Sequence, residues 1–148
     1  MAVKTSWYET DSRFIPGHYQ PATLIDLALS RDIDSHRLLR GTGLFHEDIL
    51  AGTARLSPQQ FLGLIGNSRK LLDADDSSFL FGQRLLPGYY GAASHALGHA
   101  QNLHQALDIL IQQQVLLSPL VTLQLELDEH HAYLYWLDSC GAGEHWRF

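Results

Sequence analysis

The sequence predicts an α+β fold: a helix-rich N-terminal part packed on a C-terminal antiparallel β-hairpin or small sheet. Three observations carry this expectation. Helix-capping and helix-stopping residues recur at helix-length intervals as far as Pro119, and apolar residues between them fall three and four apart. After Leu120 the period changes, and Val121-Thr-Leu-Gln-Leu-Glu-Leu127 alternates strictly between apolar and polar. The composition suits a packed core, with 45% hydrophobic and 18% charged residues in a chain of 148.

Residues 1–20 read as an N-terminal arm, with a Pro16-Gly17 turn pair and aromatics (Trp7, Tyr8, Phe14, Tyr19) that follow no period. Residues 21–148 read as one domain, and a chain of 148 residues buries about 68–70% of its unfolded surface. Pro21 suits a first helical turn, and Leu24, Ile25, Leu27, Ala28 and Leu29 make a short, buried helix ending near Arg31. Asp34 caps the next helix, with Leu38 and Leu39 as its buried pair and Gly41 and Gly43 just past its end. A third short helix is expected at His46–Ala51, closed by Gly52. Ser57-Pro58-Gln59-Gln60 is the clearest helix start: Ser57 as N-cap, Pro58 at the first position, Gln60 completing a capping box. The stripe Phe61, Leu62, Leu64, Ile65, Leu71, Leu72 follows, weakened by Gly63 and Gly66 at roughly 1 kcal/mol each relative to Ala.

Asp75, Asp76 and Ser77 open another helix through Phe79, Leu80, Phe81 and Leu85, which Pro87-Gly88 breaks. Gly91–Gly98 is a short helix or turn. Asn102 caps a longer helix, Leu103 to Leu117, stopped by Ser118-Pro119. The alternating strand then turns at Glu129-His130 into Ala132–Leu137, which is apolar and aromatic and reads as a more central strand. This loop sets Leu127 beside Ala132, Leu125 beside Leu134 and Leu123 beside Trp136.

Charge and cysteine content exclude some functions. Ten basic against sixteen acidic residues leave a net charge of −6, which is wrong for a strongly electropositive nucleic-acid platform. No apolar run approaches the roughly 20 residues that span a bilayer. The N-terminal MAVKTSWYETDSRF has no apolar core of a secretory signal, so a cytoplasmic location is expected. The single cysteine, Cys140, excludes an internal disulfide.

The nine histidines need weighing. His95-x-x-x-His99 places two imidazoles one helical turn apart, with His104 as a third metal-ligand candidate. Ala96-Leu97-Gly98 between them supplies no carboxylate, and surface or capping histidines are the simpler reading; no metal and no cofactor is expected. His130-His131 reads as a polar hairpin turn. Cys140 with Glu144 and His145 does not make a catalytic dyad by sequence proximity, and no G-x-S-x-G elbow occurs, so no enzyme is expected. A small-molecule pocket needs apolar walls with a few convergent polar groups, and the candidates are Tyr89, Tyr90, His95, Tyr133, Tyr135 and Trp136.

The order of these segments resembles a known family. Leu24–Leu29, then Asp32-Ile-Asp34 with Leu38-Leu39 and Gly43-Leu44, is similar to the start of the effector-sensing, arabinose-binding-type N-terminal domain of AraC/XylS transcriptional regulators. Arg55-Leu-Ser-Pro-Gln-Gln-Phe61 resembles that domain's R-[IL]-[PS]-x-x-x-F helix start. Gly82, Leu86-Pro-Gly88 and Gly91 resemble its Gly-rich bend, and Asn102-Leu103 with Ala106-Leu107 its T-L-x-x-A-L helix. The chain departs from the family pattern at His95, where Tyr is frequent, and at Asn102, where Thr is; Asn still caps a helix. Family members continue into a DNA-binding region with two helix-turn-helix motifs that this sequence does not contain, so it reads as an N-terminal fragment or a short relative. The resemblance implies an effector-sensing and dimerisation domain with a small-molecule effector as partner and a homodimeric state. DNA would be contacted only through the C-terminal region, and no membrane is implied. Two other readings stay open: an interaction module that dimerises through the hairpin without a small ligand, and a metal sensor or metalloenzyme built on His95, His99 and His104.

Overall fold

A computed structural model describes residues 10–85 and 90–141. The short strand β1 (Ile15–Pro16) pairs antiparallel with β2 (Arg55–Leu56). Helices α1 (Gln20–Leu29), α2 (Ser35–Leu38) and α3 (His46–Leu50) lie between these strands in sequence. Then come α4 (Pro58–Leu72), α5 (Ser77–Arg84), α6 (Ala92–Gly98), α7 (Leu103–Gln112) and α8 (Gln114–Leu117). The antiparallel hairpin β3 (Val121–Leu127) and β4 (Ala132–Asp138) follows. The α+β class expected from the sequence is observed.

Helix α1 is the centre of the helical half. Pro21, Thr23, Leu24, Ile25, Leu27 and Ala28 are all buried, which requires neighbours on several sides. α2, α3, α4 and α5 supply them. Its C-terminus closes where the Ile33 N–H donates to the Ala28 carbonyl, with Asp32 left-handed at φ 59°. α2 is capped by Asp34, whose carboxylate accepts the His36 N–H at 2.8 Å, and Leu38 and Leu39 are buried as expected. At α4 the capping box forms in full: Ser57 Oγ accepts from Gln60 N, and Gln60 Oε1 accepts from Ser57 N. Gln60 Nε2 also donates to the Thr42 carbonyl at 3.2 Å, tying α4 to the turn after α2.

The segment read as an arm is partly built into this core. Ile15 is 1% exposed, and the Gly17 N–H donates to the Ala54 carbonyl at 2.9 Å. A Cβ at Gly17 would lie 3.0 Å from that carbonyl oxygen and 3.2 Å from Ala54 Cβ and Leu56 Cδ1, so the approach needs glycine. Residues 1–9 lie outside the described residues.

Two element-level expectations are corrected. The helix expected over Leu103–Leu117 is two helices, with Gln113 leaving helical geometry between them at φ −99°, ψ 16°. The turned α8 lets Gln114 Oε1 accept the Leu123 N–H at 3.1 Å, which shields part of the outer edge of β3. Phe79 of α5 and Leu103 of α7 are 67% and 73% exposed. β4 is not a central strand. The described sheet has two strands, and Tyr133, Tyr135 and Trp136 are exposed because no further strand covers them.

The hairpin register itself is the expected one: Leu127↔Ala132, Leu125↔Leu134 and Leu123↔Trp136. Asp128 accepts the His130 and His131 N–H groups at 2.7 and 2.6 Å, an Asx turn that sets the reversal. Burial falls along β3, from Val121, Thr122 and Leu123 (buried) through Leu125 (half-buried) to Leu127 (exposed). Thr122 and Ser139 hydrogen-bond through their hydroxyls at the buried base.

Candidate functional site

Three helices each bring a pair of residues four apart to a common groove: Gln20 and Leu24 of α1, Phe61 and Ile65 of α4, and Phe81 of α5 with Leu85 just past its end. The α8–β3 corner, Leu117 to Val121, makes the opposite wall, and Trp136 of β4 stands at its rim. The cavity measures about 330 Å³, within the range of small-molecule sites. Leu24 and Phe61 are buried core residues, so the groove floor is the helical core itself.

Among the described residues, the polar side-chain groups of this lining are the Gln20 amide, the Ser118 hydroxyl and the Trp136 indole N–H, and no Asp, Glu, Lys, Arg or His takes part. Gln20 Nε2 donates to Tyr90 Oη at 2.8 Å and to the Leu117 carbonyl at 2.7 Å. A carbonyl oxygen only accepts, so these bonds fix the amide orientation. They also bind the start of α1 to the end of α8. Gln20 Oε1 accepts no hydrogen bond among the described residues.

Two other depressions of similar size differ in chemistry. One, about 390 Å³, is lined by Arg13, Asp48 and Arg55 among others. The second, about 490 Å³, lies between Gly63, Gly66 and Lys70 of α4 and the buried Cys140. Volume does not separate the three; the apolar lining does. Burial, and secondarily the Asp138 charge, push the Cys140 thiol up from its ordinary range, so it remains a protonated, weakly nucleophilic group at neutral pH.

Of the residues singled out from the sequence, Trp136 lines the groove and Tyr90 reaches it through Gln20. Tyr90 is buried, with its ring 5.5 Å from that of Tyr19. Tyr133 and Tyr135 lie on the exposed hairpin, outside the groove lining. His95 is exposed on α6, its ring 4.1 Å from that of His99, and His99 Nδ1 lies 2.9 Å from the His95 carbonyl. His104 pairs with Asp108 one turn along α7, at 3.2 Å. Among the described residues no group of three or more His, Cys, Asp or Glu is placed to hold a metal. Tyr89 and His145 lie outside the described residues.

Sequence reading missed Gln20, Phe61, Phe81 and the 117–121 corner. The signal was present: Phe61/Ile65 and Phe81/Leu85 are i, i+4 pairs, and Gln20 precedes Leu24 by the same interval. Such pairs look alike whether they face a core or a groove, and only the fold separates the two.

The domain thus combines an α+β fold with an apolar groove between its helices and the base of its hairpin. Residues 33–145 match the family described as the arabinose-binding domain of AraC transcription regulators, N-terminal, and the chain belongs to that family. No match was found among curated proteins or among solved structures. Among the described residues no helix is long and apolar enough to cross a membrane.

Proposed function

We propose that this chain senses a small-molecule effector in the groove between α1, α4, α5 and the α8–β3 corner, without catalysing a reaction. Effector occupancy controls DNA binding by a helix-turn-helix region outside this sequence, in the cytoplasm where such regulators meet DNA. One observation carries the reading: the groove walls come from both the helical core and the base of the hairpin. A molecule seated there contacts both parts and favours whichever relative arrangement it fits, which is the requirement for a population shift.

The test is a thermal-shift screen of small metabolites against the full chain. A binder at one hundred times its Kd stabilises by about 2.7 kcal/mol. Ile65→Trp, which fills the groove from α4, is expected to abolish that shift. A binder whose shift survives this substitution in a folded variant would place the effector elsewhere.

The hairpin supports self-association as a second, compatible role. Leu127 and Trp136 are exposed on one face of the hairpin and Tyr133 and Tyr135 on the other, apolar-aromatic surfaces of the kind enriched in interfaces. Sedimentation equilibrium is expected to give a dimer, and Tyr135→Glu a monomer. A wild-type monomer at high micromolar concentration would remove this role.

A further inference from the structure

We infer that the effector is a neutral, largely apolar molecule with a single hydrogen-bonding head, and not a sugar. The inference rests on the groove being the effector site and adds the chemistry of what enters it. Among the described residues the lining contains no charged side chain. A carboxylate, phosphate or ammonium group buried there would lose its water without gaining a counter-charge. A pentose fails for a related reason. Each of its hydroxyls needs a partner when buried, and among the described residues the lining side chains offer only Gln20, Ser118 and the Trp136 indole N–H.

What the groove does offer is specific. Phe61, Ile65, Phe81 and Trp136 give an apolar and aromatic body site. Gln20 has both amide N–H groups engaged by Tyr90 and Leu117, so its Oε1 is the group left to meet a ligand. An oxygen acceptor calls for a donor, which makes the head a hydroxyl or an N–H. The Ser118 hydroxyl can serve as second partner to the same head.

The experiment compares heads on one body by titration calorimetry of the full chain: 4-phenyl-1-butanol, 4-phenylbutyrate and 4-phenylbutylamine, with L-arabinose as the sugar. The alcohol is expected to bind at least about tenfold more tightly than either charged analogue, and arabinose not to bind in the millimolar range. Ser118→Ala is expected to weaken the alcohol while leaving butylbenzene unchanged. A charged analogue equal to or tighter than the alcohol overturns the inference, as does binding of arabinose or of none of the four probes. Alcohol binding unaffected by Ile65→Trp keeps the preference for a neutral head but removes the groove as its site. That result overturns the placement on which the inference rests and is distinguishable from failure of the chemistry.

Discussion

The Asn67 side chain in α4 donates both amide N–H groups to main-chain carbonyls of another element, Leu38 at 2.7 Å and Arg40 at 2.9 Å. These carbonyls lie at and just past the end of α2, a helix of four residues whose own ladder cannot satisfy them. Asn67→Ala is therefore expected to cost about 1–3 kcal/mol in urea unfolding, more than a typical surface change. A loss below a few tenths would mean that water replaces the amide without penalty. Cys140 makes a second prediction at this scale. Burial and the Asp138 charge favour its thiol form, so alkylation by iodoacetamide at pH 8 is expected to run well below the rate of a free cysteine peptide. Denaturant should restore the ordinary rate.

At the scale of elements, the hairpin turn is built on an anion. The backbone N–H groups of His130 and His131 hold the Asp128 carboxylate below the usual carboxylate range. A lowered folded-state pKa means that the turn's contribution is fully present above the unfolded carboxylate pKa. It is lost as pH falls through the lowered value. Acid titration by NMR is expected to move the His130 and His131 amide signals together, below the usual carboxylate range, and Asp128→Ala to remove that step. The helix starts and this register were legible because each rests on local chemistry. Ser57, Asp34 and Asn102 cap through bonds to residues two or three positions on, and alternation along Val121–Leu127 sets the strand faces. The rest depends on distant partners. Nothing local in Gln112-Gln113-Gln114 ends a helix; the break accompanies the bond from Leu123 to Gln114. Likewise Gln20 becomes a groove residue only because Tyr90 and Leu117 come to it from 70 and 97 positions away.

At the scale of the molecule, the described residues divide into a helical core with fully buried side chains and a hairpin held at one end. Leu24, Leu38, Leu56 and Leu64 have no exposure, whereas Leu127 and Trp136 are 57% and 60% exposed. That gradient of burial along β3 turns the strand into a graded clock for solvent. The amides of Thr122, Gln124 and Glu126 face β4 in the ladder, and those near the base open with the core while those toward the tip open with local fraying, so their hydrogen-exchange lifetimes are expected to shorten in that order. The groove touches this strand only at its slow end, at Val121, and touches β4 at Trp136. An effector seated there is therefore expected to lengthen lifetimes at the base and leave the tip unchanged, whereas a partner docking on the exposed aromatics would do the reverse. A single exchange measurement along seven residues reads out which of the two faces of this domain is engaged.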